Sequence, residues 1–135
     1  MERVQDLDRH ECLRLLAQRR LGRVAFSERA LPAILPVTYS MVGQNVLLGT
    51  TAGGLGHRLD GQVVAFAVDD LDEDVGTGWS VVVTGTARLV KPPRDLMRYD
   101  AALPGSVAEI DHEGRVSITS GDVVGRRILT AFLVD

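Results

Sequence analysis

GTGWSVVVTGTARLV, residues 76–90, reads as a glycine turn feeding one long β-strand from Trp79 to Val90. Val81, Val82 and Val83 are wall residues, and their branched side chains suit a pleated surface. Gly85 sits inside the run, where a missing Cβ permits the tight bend that a barrel corner needs. Lys91-Pro92-Pro93 stops the strand, since proline cannot donate to a ladder.

Moving toward the N-terminus, Gln62 to Asp69 (QVVAFAVD) is apolar almost without alternation. Such a strand is covered on both faces, as when a barrel wall also carries a helix or a partner subunit. Between these two strands, Asp69 to Asp74 holds five carboxylates. Asp70, Asp72 and Asp74 have a calcium-loop rhythm, but the glycine comes one place late and the bidentate Glu is absent. A solvated acidic loop is the better account.

Further upstream, Arg23 to Ser27 and Leu31 to Ser40 read as strands around a turn at Glu28-Arg29-Ala30. Pro32 and Pro36 make the second of them an edge strand or a bulged one. Val42-Gly43-Gln44-Asn45 is turn chemistry, and Val46 to Thr50 returns as a strand. The first helix opens at Asp8-Arg9-His10-Glu11, the carboxylate form of a capping box. Its apolar stripe is Leu13, Leu16, Ala17 and Leu21, flanked by Cys12 and Leu15, and Gly22 is placed to end it. Downstream, Arg94 to Ala102 is a short helix candidate, Leu103-Pro104-Gly105 a break, and Arg115 to Thr119 and Gly125 to Val134 are strands. Six to seven strands at hairpin spacing with two short helices predict a mainly β chain, an antiparallel barrel rather than a βαβ sheet, as one domain over residues 1–135.

Composition narrows the partners. Of 135 residues, 45% are apolar and 24% charged, the profile of a globular domain. The net charge of −3 gives no electrostatic reason to expect nucleic acid. No leader and no membrane-length apolar run is visible, so the expected location is cytoplasmic. Cys12 is the sole cysteine, which leaves no intrachain disulfide, and core packing suits it. His10, His57 and His112 are scattered, and neither a Gly-x-Ser-x-Gly elbow nor a His-Glu-x-x-His pattern occurs, so no catalytic side chain and no metal site is assigned. Gly49 to Gly54 has the glycine spacing of a P-loop, but Leu55 stands where the lysine is needed.

The stretch VLLGTTAGGLGHR, Val46 to Arg58, remains as a binding loop. Its Thr50 and Thr51 hydroxyls, backbone N–H groups among three glycines, and the cation Arg58 are what a phosphate needs. His57 is either a second donor or a solvent-facing residue. Trp79 either offers a flat face to a ligand, with Ser80 beside it, or caps the barrel core.

Five blocks resemble the pyridoxamine 5′-phosphate oxidase-like flavoproteins, the FMN-binding split-barrel family. They are Leu21-Gly22-Arg23-Val24-Ala25, Pro36-Val37-Thr38-Tyr39, Val64 to Asp69, Gly78-Trp79-Ser80-Val81 with Thr84 to Ala87, and Val124 to Arg127. The resemblance implies a split barrel, a homodimer with flavin sites at its interface, and a flavin-dependent oxidoreductase acting on a small molecule. It implies Thr50, Thr51 and Arg58, with His57, around the FMN phosphate, and Pro36, Val37, Thr38, Tyr39, Trp79, Ser80 and Val81 along the isoalloxazine. A deazaflavin, or no cofactor at all in a binding or sensing module, is the alternative. Two departures from the family pattern bear on this. Gly49 stands where its strand Arg falls, and only Leu59, Asp60 and Gly61 separate Arg58 from the next strand.

Overall fold

The computed structural model describes residues 2–49, 54–90 and 115–130. Its elements are β1 (Glu2–Leu7), α1 (Arg9–Leu16), β2 (Leu21–Glu28), β3 (Leu31–Val42), β4 (Asn45–Leu48), α2 (Leu55–Leu59), β5 (Val63–Asp72), β6 (Thr77–Val90), β7 (Arg115–Ile118) and β8 (Asp122–Thr130). The helix expected at Arg94–Ala102, the break at Leu103–Gly105, and Thr50 and Thr51 lie outside the described residues.

All pairings are antiparallel, in the order β1-β8-β6-β5-β2-β3-β4-β7, and a β6–β7 ladder closes the ring. Six strands therefore form a barrel, the split barrel expected, and β8 and β1 extend the sheet beyond it. Two strands turn the corners. β3 pairs with β2 through Thr38 and with β4 from Tyr39 onward. β6 pairs with β8 over Thr77–Thr84 and with β7 over Ala87–Val90, while β5 accompanies it on the other edge. Gly85 is the hinge between these halves: a Cβ there would overlap the Thr119 carbonyl oxygen. Pro32 and Pro36 fall in the half of β3 that has β2 as its neighbour, where a missing donor costs least.

Inside, Val24, Phe26, Tyr39, Phe66, Val81, Val83, Val116 and Ile118 belong to one continuous core. Tyr39 meets Phe66 edge-on, with centroids 4.7 Å apart, and its hydroxyl donates to the Leu16 carbonyl at 2.7 Å. That buried bond ties α1 to the barrel; burial also pushes the phenol up beyond its ordinary range.

Several local elements differ from the expectation. Asp8 caps α1 as expected, accepting from the Glu11 amide at 2.8 Å, but the Glu11 carboxylate grips Arg14 at 2.6 and 2.8 Å. Arg14 holds that carboxyl below its ordinary value. The helix ends at Leu16, so its buried face is Cys12, Leu15 and Leu16. Ala17 and Leu21 are exposed, and Gly22 is not a cap but a strand residue packed beneath Phe66. Cys12 Sγ fills the space that a side chain at Gly125 would take, which seats α1 on β8. The thiol is pushed up by burial, as a packed cysteine should be.

β1 went unread because from Arg3 to Asp6 its side chains are exposed and Leu7 is only partly buried; it is an edge strand held by the β8 ladder. α2 was read as loop, since its glycines disfavour helix, yet Leu55 and Leu59 are buried and anchor it. β5 buries Val64, Phe66 and Val68 inward, while outward Val63 is 68% exposed, so the second face is open in the single chain. In β7 burial does not alternate: all four of its residues are buried. The acidic stretch is the end of β5 and a turn in which Asp72 Oδ1 accepts from the Asp74 and Val75 amides.

Candidate functional site

Strand parity divides the residues assigned to the isoalloxazine. Val37, Tyr39, Trp79 and Val81 have buried side chains inside the barrel. They are corrected from ring-lining side chains to core, because alternate residues of a strand face opposite ways. Pro36 and Thr38 are exposed on the outer face, and Ser80 is partly so. The register aligns these with neighbours that the sequence reading passed over. Pro36 lies opposite Arg23, Arg23 opposite Ala67, and Ser80 opposite both Asp69 and Arg126. A depression of about 260 Å³ opens among them, lined by Leu21, Arg23, Pro36, Ala67 and Asp69. It offers an apolar floor with one cation and one carboxylate at its edge.

The second half of the site lies on α2. Gly54 enters the helix with φ 72°, and Leu55 and Leu59 point into the core. Gly56 lies so close to β6 that a Cβ would stand 2.8 Å from Leu89 Cδ1. With these residues turned inward, Arg58 reaches the tip of the β2–β3 hairpin. Its Nε donates to Glu28 Oε2 at 2.6 Å and its Nη2 to Oε1 at 3.0 Å, and its guanidinium lies 5.5 Å above the Phe26 ring. The hydrogen bond raises Arg58 above its ordinary value and holds the Glu28 carboxyl below its own. His57, exposed on the same helix, lies next to it in the chain.

The strand end before the loop is crowded rather than vacant. The Gly49 amide donates to the Thr38 carbonyl at 2.7 Å, and a Cβ at position 49 would collide with Thr38 Oγ1. Gly49, which stands where the family's strand Arg falls, and Thr38 are thus one packing arrangement. Extending the Leu48↔Val116 register by one residue sets Arg115 opposite Gly49. Arg115 is 1% exposed. It was missed because an arginine at the head of a short strand reads as its wet face. Among the described residues no group of three His, Cys, Asp or Glu could hold a metal ion, and no helix is long and apolar enough to cross a membrane.

An uncharacterized Mycobacterium tuberculosis protein, Rv0080, is 44% identical over 106 residues, covering 74% of this chain and 70% of that protein. The FAD binding protein from Mycobacterium smegmatis superposes with a TM-score of 0.71 at 28% identity, over 93% of this chain and 98% of that one. A FAD-binding protein from Mesorhizobium loti shares the fold with a TM-score of 0.78 at 19% identity, over 96% and 100% of the two chains. The family model described as pyridoxamine 5′-phosphate oxidase matches residues 8–127, and the chain belongs to that family.

Proposed function

We propose that this chain is a flavin-binding oxidoreductase of the split-barrel group, with FMN as its cofactor and a small molecule as substrate. The observation that carries this reading is Arg58, a fixed guanidinium on the helix that follows the strand-end loop. Two of its five N–H donors go to Glu28, so the Nη1 edge is where a phosphate first meets the guanidinium. Thr50 and Thr51 would add hydroxyls, and His57 a further donor. The flavin binding of structural neighbours supports the cofactor class. When bound, the isoalloxazine supplies the redox chemistry. The chain's part is to grip the phosphate and to present the outer face of β2, β3 and β5, where Arg23 and Asp69 can orient a polar substrate.

Replacing Arg58 with alanine is expected to weaken FMN binding roughly ten- to a hundredfold, the worth of one or two charge-assisted bonds. Quenching of flavin fluorescence measures it. Titrations with FAD and a deazaflavin alongside FMN rank the cofactors. A colourless protein that quenches none of them would favour the cofactor-free binding module, a reading that the Glu28 contact and the crowded Gly49 also support.

The chain is further proposed to work as a homodimer. Leu21, Ile34 and Val63 are each about two-thirds exposed on one outer sheet face, and Val124 adds to it. Large exposed apolar side chains on one sheet face mark an association surface. A second copy suits it, since the family resemblance places the flavin between two barrels. Sedimentation should report a dimer, and a monomer would remove the interface site.

A further inference from the structure

The side chain assigned to the phosphate already holds an anion from its own chain. Glu28 is the last residue of β2, fixed by a two-residue turn in which Arg29 and Ala30 have φ of 55° and 65°. Glu28 pairs across that turn with Leu31. The hairpin tip is therefore tightly defined, and it delivers a carboxylate side-on to the Nε–Nη2 edge of Arg58. Phe26, two residues earlier on the inward face, lies under the same guanidinium. A phosphate approaching Arg58 meets a cation whose charge is largely answered.

We propose that Glu28 acts as an internal competitor for Arg58, which a flavin phosphate must displace, so that this ion pair sets the affinity of the site. The inference rests on the flavin reading above. The hairpin tip also provides somewhere for the displaced carboxylate to go. A depression of about 490 Å³ lies against Glu28, Arg29, Leu31 and Pro32. Arg29 already acts on the Glu28 carboxyl through its charge. The carboxylate thus has two cationic partners, one shared with the ligand and one beside open space. Arg58 and Glu28 side chains are 37% and 42% exposed, so solvent screens the pair and the competition is modest.

The test is a set of flavin titrations on the wild type, E28Q, R58A and the double variant, with riboflavin as the ligand that lacks the phosphate. E28Q should bind FMN roughly two- to fivefold more tightly, the worth of an exposed ion pair, and riboflavin as before. The gain should vanish in the R58A background, and E28A should reproduce it if the amide of E28Q still occupies Arg58. If R58A weakens FMN binding while E28Q and E28A leave it unchanged or weaker, the competitor role is overturned and the flavin reading stands. If no variant distinguishes FMN from riboflavin, Arg58 is not the phosphate ligand and both fall.

Discussion

Replacing Trp79 with alanine is expected to lower the stability of the fold by roughly 3–5 kcal/mol, and to act on any ligand only through that loss. Trp79 is 5% exposed and belongs to the same core as Phe66 and Val81. It lies near the start of β6, between Asp70 on β5 and Arg127 on β8. Removing the indole leaves a cavity in a wall held by strands on both sides, which can collapse only partly. Denaturant unfolding followed by far-UV circular dichroism measures the loss. The emission of Trp79, the sole tryptophan, should be blue-shifted in the native wild type and red-shifted on unfolding. A variant that kept its stability but lost flavin affinity would place the indole at the ligand instead.

That residue shows where sequence reasoning reached its limit. The barrel was legible because glycine turns, edge prolines and apolar strands each point to antiparallel closure, and they agree with one another. Parity within a strand was not. In Trp79-Ser80-Val81-Val82-Val83 both faces carry apolar residues, so nothing in the letters says whether the face of Trp79, Val81 and Val83 or that of Ser80 and Val82 turns inward. The same ambiguity placed Val37 and Tyr39 beside Pro36 and Thr38 as ring-lining residues. Glu28 and Arg58 are 30 residues apart, and their pairing follows from the hairpin tip meeting α2. No local pattern encodes that meeting. Arg58 itself was singled out from the loop chemistry, as the cation that follows a glycine-rich strand end. Gly22 was misread because glycine serves two needs, a helix cap or a close approach, and only the Phe66 ring above it shows which applies.

Phe66→Ala should cost as much as the loss of Trp79, roughly 3–5 kcal/mol, and its coupling to Gly22 makes the sharper experiment. The ring is fully buried, edge-on to Tyr39, and lies above Gly22 so closely that a Cβ there would stand 2.6 Å from Cζ and 2.8 Å from Cε1. Gly22→Ala alone should therefore overpack the core and cost roughly 1–3 kcal/mol. With the ring removed, the same methyl group enters the space the ring has left, and only the Ala67 carbonyl oxygen, at 3.0 Å, still presses on it. The Gly22→Ala/Phe66→Ala protein should thus be about as stable as Phe66→Ala alone, rather than worse by the full cost of the glycine change. Contacting residues that share one space are where additivity fails, and unfolding midpoints of the four proteins measure the failure directly. Additive losses would mean that the backbone of β2, not the aromatic ring, requires glycine at position 22. The ring-over-glycine contact would then be a consequence of the strand rather than the reason for its sequence.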